Sequence, residues 1–309
     1  MTSSSLERLW RSFAKSDVVL RIKQHSVGAK VYERLSIARR SLSSSLYGRR
    51  ERELFRDVRI YCMFVGHARS GHSIVGALLD AHPNVVLPDE VDVLEYLAAG
   101  FNRDQIYHLL LARSQKQARK GRTKGGRDGK VYSYLVPNQW QGRFHRIQVI
   151  GHSKAGMSTQ RLGKDLGLLQ CLQATMKDVE VRLLLTLRNP YDNISTMMLR
   201  GNLSFPEAFD RYFSNCATLT AIEQRIDRSA LLMVKHEDLI LQPEQCLTKI
   251  CWFLELEAPD DYLRDCASIL YASPAKSRAK VQWDTAMIQA VRDGIEQYGF
   301  LQGYSYYEH

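Results

Sequence analysis

The residues Gly66-His67-Ala68-Arg69-Ser70-Gly71-His72-Ser73 lie between an apolar run, Ile60 to Val65, and a segment in which Ile74, Leu78 and Leu79 repeat at helical spacing. Glycines in such a turn let the backbone fold back so that successive amide N–H groups face one point, and the helix that follows adds its positive end. The chemistry favoured is capture of a phosphate-like anion, with Gly66, Arg69, Ser70, Gly71, His72 and Ser73 as candidate ligands. The pattern nearly reads as the nucleotide loop G-x-x-x-x-G-K-[ST]. His72 stands where that loop has the lysine that reaches the β- and γ-phosphates.

Other chemistry-bearing residues gather where apolar runs stop. Asp89 and Glu90 follow Val85-Val86-Leu87, His152 and Lys154 follow Ile147 to Ile150, and Arg188 follows Val181 to Leu187, with hydroxyls further on at Ser195 and Thr196. Strand ends are where α/β folds build their sites. A carboxylate there suits general-base work, and a guanidinium suits bidentate capture of an anion. Asp89 and Glu90 also fit the capping of a helix that starts near Val91.

The elements that must position these residues alternate. Strands are expected at Ile60 to Val65, Val85 to Leu87, Val131 to Val136, Ile147 to Ile150, Val181 to Leu187 and Leu231 to Val234, the last two buried. Helices are expected after the glycine loop, over Leu94 to Ala99 and Ile106 to Leu111, over Leu162 to Met176, after Arg188, over Pro206 to Asn215 and Ala217 to Ile226, over Pro243 to Leu254, and over Thr285 to Gln297. This spacing implies an α/β fold, a mostly parallel sheet covered by helices on both faces. An amphipathic helix with Leu6, Leu9, Trp10 and Phe13, and a second through Val31, Tyr32, Leu35 and Ala38 that ends before Ser41 to Ser45, form a basic N-terminal arm over 1–57. The α/β domain is then 58–309.

At 309 residues one domain is the default, and no apolar run approaches the roughly 20 residues needed to cross a bilayer. The N-terminus starts polar, turns basic and lacks an apolar signal region, so a cytoplasmic protein is expected. The net charge of +10 is uneven, with 14 basic against 6 acidic residues over 1–60 and 9 against 2 over 103–130. The second block, Arg113 to Lys130 with its four glycines, reads as a basic loop inserted into the domain. Two confined blocks do not make the basic, aromatic-laced face of a nucleic-acid binder. The arm fits packing on the domain, pairing with a second copy, or peripheral contact with an anionic membrane surface. Six cysteines without a C-x-x-C pair read as reduced thiols, and no metal site is expected.

Three motifs in order carry a family resemblance: Arg69-Ser70-Gly71-His72-Ser73 followed by Asp80-Ala81-His82-Pro83; Arg188-Asn189-Pro190 with Thr196 eight residues after the arginine; and Glu237-Asp238-Leu239 followed by Phe253-Leu254-Glu255-Leu256. The chain resembles the sulfotransferases that use 3′-phosphoadenosine-5′-phosphosulfate (PAPS), in the branch whose loop reads R-S-G-T-T before D-A-H-P. Ser277-Arg278 and Gly303-Tyr304 echo it more weakly. The resemblance implies a P-loop-like sheet and transfer of the sulfuryl group of PAPS to a hydroxyl of a polar acceptor, a small molecule or glycan, leaving adenosine 3′,5′-bisphosphate and requiring no metal. It implies that Arg188, with Ser195 or Thr196 and with Arg278, holds the 3′-phosphate. A glutamate 21 residues beyond the loop arginine falls on Glu90, the implied general base, with Asp89 and His152 as alternatives. Arg69, then Lys154 and His72, would meet charge developing on the leaving group. Two other readings remain open here: a Mg-dependent phosphotransferase with a degenerate loop, and a nucleotide-binding scaffold without catalysis. The basic insertion would steer an anionic acceptor.

Overall fold

The computed structural model describes residues 26–125 and 131–307. Strands β1 (Ile60–Gly66) and β2 (Val85–Val86) precede a hairpin of β3 (Thr123–Gly125) and β4 (Val131–Ser133), and β5 (Val149–His152), β6 (Glu180–Leu187) and β7 (Leu231–Lys235) follow. The main sheet has the order β2-β5-β1-β6-β7 with every neighbouring pair parallel. All its strands therefore point their carboxyl ends to one edge. Strand β1 is central, and it is buried along its whole length because strands flank both its sides and helices cover both faces.

The strand period of two sorts the core. Tyr61, Met63 and Val65 of β1, with Leu183, Leu185 and Leu187 of β6, enter one apolar cluster, while Ile60, Cys62 and Phe64, with Leu184, enter the other. Helices α2 (His72–Leu79) and, near the end of the chain, α10 (Pro243–Phe253) and α11 (Asp260–Ser268) cover the second cluster. The first is covered by α3 (Val93–Ala98), α4 (Arg103–Arg119), α5 (Ala155–Lys164), α6 (Gly167–Met176), α7 (Pro190–Gly201), α8 (Phe205–Glu223) and α12 (Thr285–Glu296). Helix α1 (Ser26–Arg50) packs on α4, and short α9 (His236–Leu241) follows β7. This is the mostly parallel, P-loop-like α/β sheet expected from the sequence.

Several elements differ from expectation for local reasons. Helix α1 runs through Ser41 to Ser45, where the serine hydroxyls turn back onto helix carbonyls, Ser43 Oγ to Arg40 O at 3.1 Å and Ser45 Oγ to Ser41 O at 2.9 Å. The Leu6 to Phe13 helix lies outside the described residues. Leu162 to Met176 is two helices, since Asp165 Oδ1 accepts the Gly167 N–H at 2.9 Å and starts a new turn. Conversely, α8 is one helix where two were expected. Strand β7 was expected to be buried, but the sheet order puts it at an edge, where Met233 is exposed. The segment Arg113 to Lys130 is not a loop throughout: it is α4 as far as Arg119 and then the β3–β4 hairpin, with 126–130 outside the described residues. No helix among the described residues is long and apolar enough to cross a membrane.

Candidate active site

The turn after β1 opens with Gly66 at φ 129° and closes with Gly71 at φ 90°, which is the N-cap of α2. A Cβ on Gly71 would run into the His236 ring, and one on Gly66 would sit 2.8 Å from the Thr186 carbonyl oxygen. Both positions need glycine on grounds of space and of φ. Arg69 is also left-handed, at φ 70°, a conformation that costs a side-chain-bearing residue roughly 1–2 kcal/mol. Left-handed backbone at Arg69 and Gly71, with Ser70 between, is the kind of turn whose successive amides can form an anion-binding concavity at the start of a helix such as α2. The Ser70 hydroxyl holds the turn from inside, donating to His67 O at 2.8 Å and bonding Thr186 Oγ1 at 2.8 Å. Ser70 thus braces the loop rather than lining it.

A cavity of about 660 Å³ opens over this turn at the carboxyl edge of the sheet. Arg69, Gly71, His72, Ser73, Glu90, Lys154, Arg188 and Thr196 all line it. Arg188 extends from the end of β6, with its guanidinium 3.0 Å from Thr196 Oγ1, 2.6 Å from Ala275 O and 3.0 Å from Ser277 Oγ. Thr196 Oγ1 also lies 2.9 Å from Ser277 Oγ. Asn189 caps α7, and its N–H donates to Glu237 Oε1 at 2.9 Å, so the E-D-L carboxylate fixes the backbone next to Arg188. Desolvation lowers the Arg188 pKa and raises that of Glu237. A guanidinium held by neutral acceptors retains its charge for an anion.

Asp89 and Glu90 separate sharply. Asp89 is buried: its Oδ1 accepts the Glu90 N–H at 2.9 Å and the Ser153 hydroxyl at 3.2 Å. Glu90 is exposed to the cavity at φ 61°. Neither caps a helix, because α3 starts at Val93 and its cap is Asp92, whose Oδ1 accepts the Glu95 N–H at 3.3 Å.

Besides Ser70 and Asp89, four of the candidates lie off the cavity. His152 is the last residue of β5, fully buried, with Nδ1 2.9 Å from Tyr61 OH and Nε2 3.2 Å from Ser158 Oγ. Burial pulls it down to about 4. Ser195 faces away from Arg188 and accepts from Trp283 Nε1 at 3.1 Å. Arg278 turns to Asp192, 3.8 Å away, and to Ser305 O at 3.1 Å. Gly66 ends β1 beneath the loop, its N–H donating to Thr159 Oγ1 at 2.8 Å.

The cavity also holds residues that were not picked out from the sequence. His236, the first residue of α9, lies against Gly71; burial and the nearby Arg188 guanidinium pull it down to about 4, and its Nδ1 has no partner among the described residues. Its only sequence signal was its place just before Glu237-Asp238-Leu239. Arg200 follows Thr196 by one helical turn, and Arg211 lies on α8. Tyr132, in β4, and Tyr134, just after it, reach the cavity; a strand was expected over Val131 to Val136, of which Val131–Ser133 forms, but its place at the cavity was not foreseen. Ser277, named from the sequence only as part of a weak motif, lines the cavity where its neighbour Arg278 does not.

The sulfotransferase family model matches residues 63–260. No curated protein sequence matches the chain. Among solved structures, the chain is similar to the sulfotransferase domain of the Synechococcus PCC 7002 olefin synthase, with 16% identity over 75% of this chain and 83% of that one and a TM-score of 0.45. It is similar to sulfotransferase STF1 of Mycobacterium tuberculosis H37Rv at 14% identity over 92% and 90%, TM-score 0.46. Mouse sulfotransferase SULT7A1, solved in complex with PAP, is 13% identical over 75% and 69%, TM-score 0.37. The family match runs unbroken from β1 to the start of α11 and takes in the loop, Glu90 and Arg188, so the chain belongs to the sulfotransferase family.

Proposed function

We propose that this protein transfers the sulfuryl group of PAPS to a hydroxyl of a polar acceptor, a carbohydrate or glycoconjugate. The observation that carries this reading is that two clusters suited to binding an anion line one cavity. The glycine turn lies at one, and Arg188 with Thr196 and Ser277 at the other, joined by a 3.4 Å contact from Arg188 Nη1 to Arg69 O. A nucleoside triphosphate concentrates its anions on one tail, where the loop lysine would serve it; here that position is His72. A nucleotide with phosphates on both ribose ends matches two separated sites. The cavity volume of about 660 Å³ is in the range of nucleotide-sized pockets.

The loop amides and Arg69, His72 and Ser73 would hold the 5′ group, and Arg188 and Thr196 the 3′-phosphate. When bound, PAPS supplies an activated sulfuryl group. Glu90 accepts the proton of the acceptor hydroxyl, and Arg69 and Lys154 supply positive charge where the leaving oxygen becomes negative. The full-length protein, mixed in excess with radiolabelled PAPS and a panel of p-nitrophenyl glycosides without divalent cation, should label at least one glycoside. Glu90→Gln should slow that single turnover by about 10²- to 10⁴-fold. An unlabelled panel, or an undiminished rate in Glu90→Gln, contradicts the reading.

A further inference from the structure

Glu90 is a side-chain-bearing residue in left-handed backbone, and something must hold it there. The peptide plane that sets its φ joins the Asp89 carbonyl to the Glu90 N–H. If that plane were free to turn, φ could relax toward an ordinary negative value, and whatever part of that rotation is taken up at the Glu90 Cα would carry its side chain away from its present direction. Both ends of the plane are tied. The Glu90 N–H donates to Asp89 Oδ1 at 2.9 Å, and the Asp89 carbonyl accepts from Gln117 Nε2 at 2.8 Å and from Arg113 Nε at 3.4 Å. The peptide before it is tied as well, since the Asp89 N–H donates to Gln117 Oε1 at 3.0 Å and the Pro88 carbonyl accepts the Ser153 N–H at 3.3 Å.

Gln117 therefore meets both backbone groups of Asp89 with one carboxamide, as a neighbouring strand would. It stands near the end of α4, one turn beyond Arg113, and neither residue lines the cavity. The same helix carries Ser114, whose hydroxyl bonds the buried Asp80 carboxylate at 2.9 Å, so α4 grips the crossover from α2 to Glu90 at two points.

We propose that Gln117 is a positioning residue for sulfuryl transfer: its carboxamide locks the Asp89–Glu90 peptide plane and so presents the Glu90 carboxylate to the cavity. This rests on the reading of Glu90 as the base. Loss of the lock lowers turnover without touching the nucleotide site, because Gln117 does not line the cavity and its side chain hydrogen-bonds to the Asp89 backbone. Its effect passes through Glu90 alone. A brace that merely supported the fold would act whether or not residue 90 were a carboxylate.

The test is a double-mutant cycle on the full-length protein, using the best-labelled p-nitrophenyl glycoside, with calorimetric binding of adenosine 3′,5′-bisphosphate as the check on folding. Gln117→Ala should lower kcat by about 10- to 100-fold and leave the KM for PAPS and bisphosphate binding within about twofold. In the Glu90→Gln background the same substitution should change the rate by less than about twofold. Gln117→Glu keeps the side chain's size and its acceptor for the Asp89 N–H but loses the donor to the Asp89 carbonyl. It should reproduce the kcat loss, and it serves if the alanine variant does not fold. An undiminished kcat in both Gln117 variants, with a large loss in Glu90→Gln, overturns the lock alone. Equal losses from Gln117→Ala with and without Glu90 also overturn it. An undiminished rate in Glu90→Gln overturns the reading of Glu90, and the lock falls with it.

Discussion

Ser195 and Thr196 are neighbours on α7 with opposite surroundings. Thr196 Oγ1 is 3.0 Å from the Arg188 guanidinium in the cavity, whereas Ser195 accepts the Trp283 indole N–H at 3.1 Å on the far side. Loss of a hydrogen bond at a charged site should weaken bisphosphate binding about 10- to 100-fold in Thr196→Val. Ser195→Ala should leave binding unchanged and cost about 1 kcal/mol of stability in urea denaturation. The reverse pattern would place the wrong hydroxyl at the anion. From the sequence, eight residues after the arginine pointed to Thr196, but two adjacent hydroxyls on a helix point about 100° apart, and only the placement of Arg188 decides between them. The same limit applies to Asp89 and Glu90. Two carboxylates in a row at a strand end were legible; which one is buried by Ser153 and which faces the cavity was not, because both depend on contacts from α4 and from the turn after β5.

At the scale of elements, the basic segment shows how a charge run conceals structure. Arg122 is 6% exposed and ion-paired with the Asp80 carboxylate, which also accepts the Leu87 N–H at 2.6 Å and the Ser114 hydroxyl. The pair ties the base of the hairpin to the end of α2 and so carries Tyr132 and Tyr134 to the cavity. Arg122 is therefore a brace, and a role in steering an anionic acceptor does not fit it; Lys116, Arg119 and Lys120 nearby are exposed. Arg122→Met would leave Asp80 buried without its counter-charge and should destabilise the protein by about 3–5 kcal/mol. Lys120→Ser should change stability by less than about 0.5 kcal/mol. Equal urea midpoints for the two variants would contradict this assignment. Composition gave the charge of the segment but not its direction, since a lone arginine facing inward leaves no periodic trace. The strand–loop–helix unit around Gly66 and Gly71 was legible because glycine marks the turn locally.

For the whole molecule, the alternation of strands and helices was enough to imply a parallel sheet. The strand order was not, because it depends on pairings between residues far apart, and it is that order which leaves β7 at an edge and centres β1. Burial also makes the fold sensitive to acid. It holds His67 at about 3 and His152 at about 4, and with Arg188 nearby it holds His236 at about 4, each below the ordinary 6.5. Between about 4 and 6.5 the unfolded chain binds protons that the folded chain does not, so this stability is complete above 6.5 and is lost as pH falls toward 4. His152→Gln should flatten the pH dependence of urea stability by up to about 1.4 kcal/mol per pH unit in that window. An unchanged slope would contradict a buried neutral His152. The central claim, that one cavity binds a nucleotide by both ribose ends, is tested most directly by calorimetric titration with adenosine 3′,5′-bisphosphate in the presence of a metal chelator. The account predicts binding that is lost in Arg188→Ala and strongly weakened when the ligand lacks its 3′-phosphate. Equal binding of adenosine 5′-monophosphate, or unchanged binding by Arg188→Ala, would contradict it.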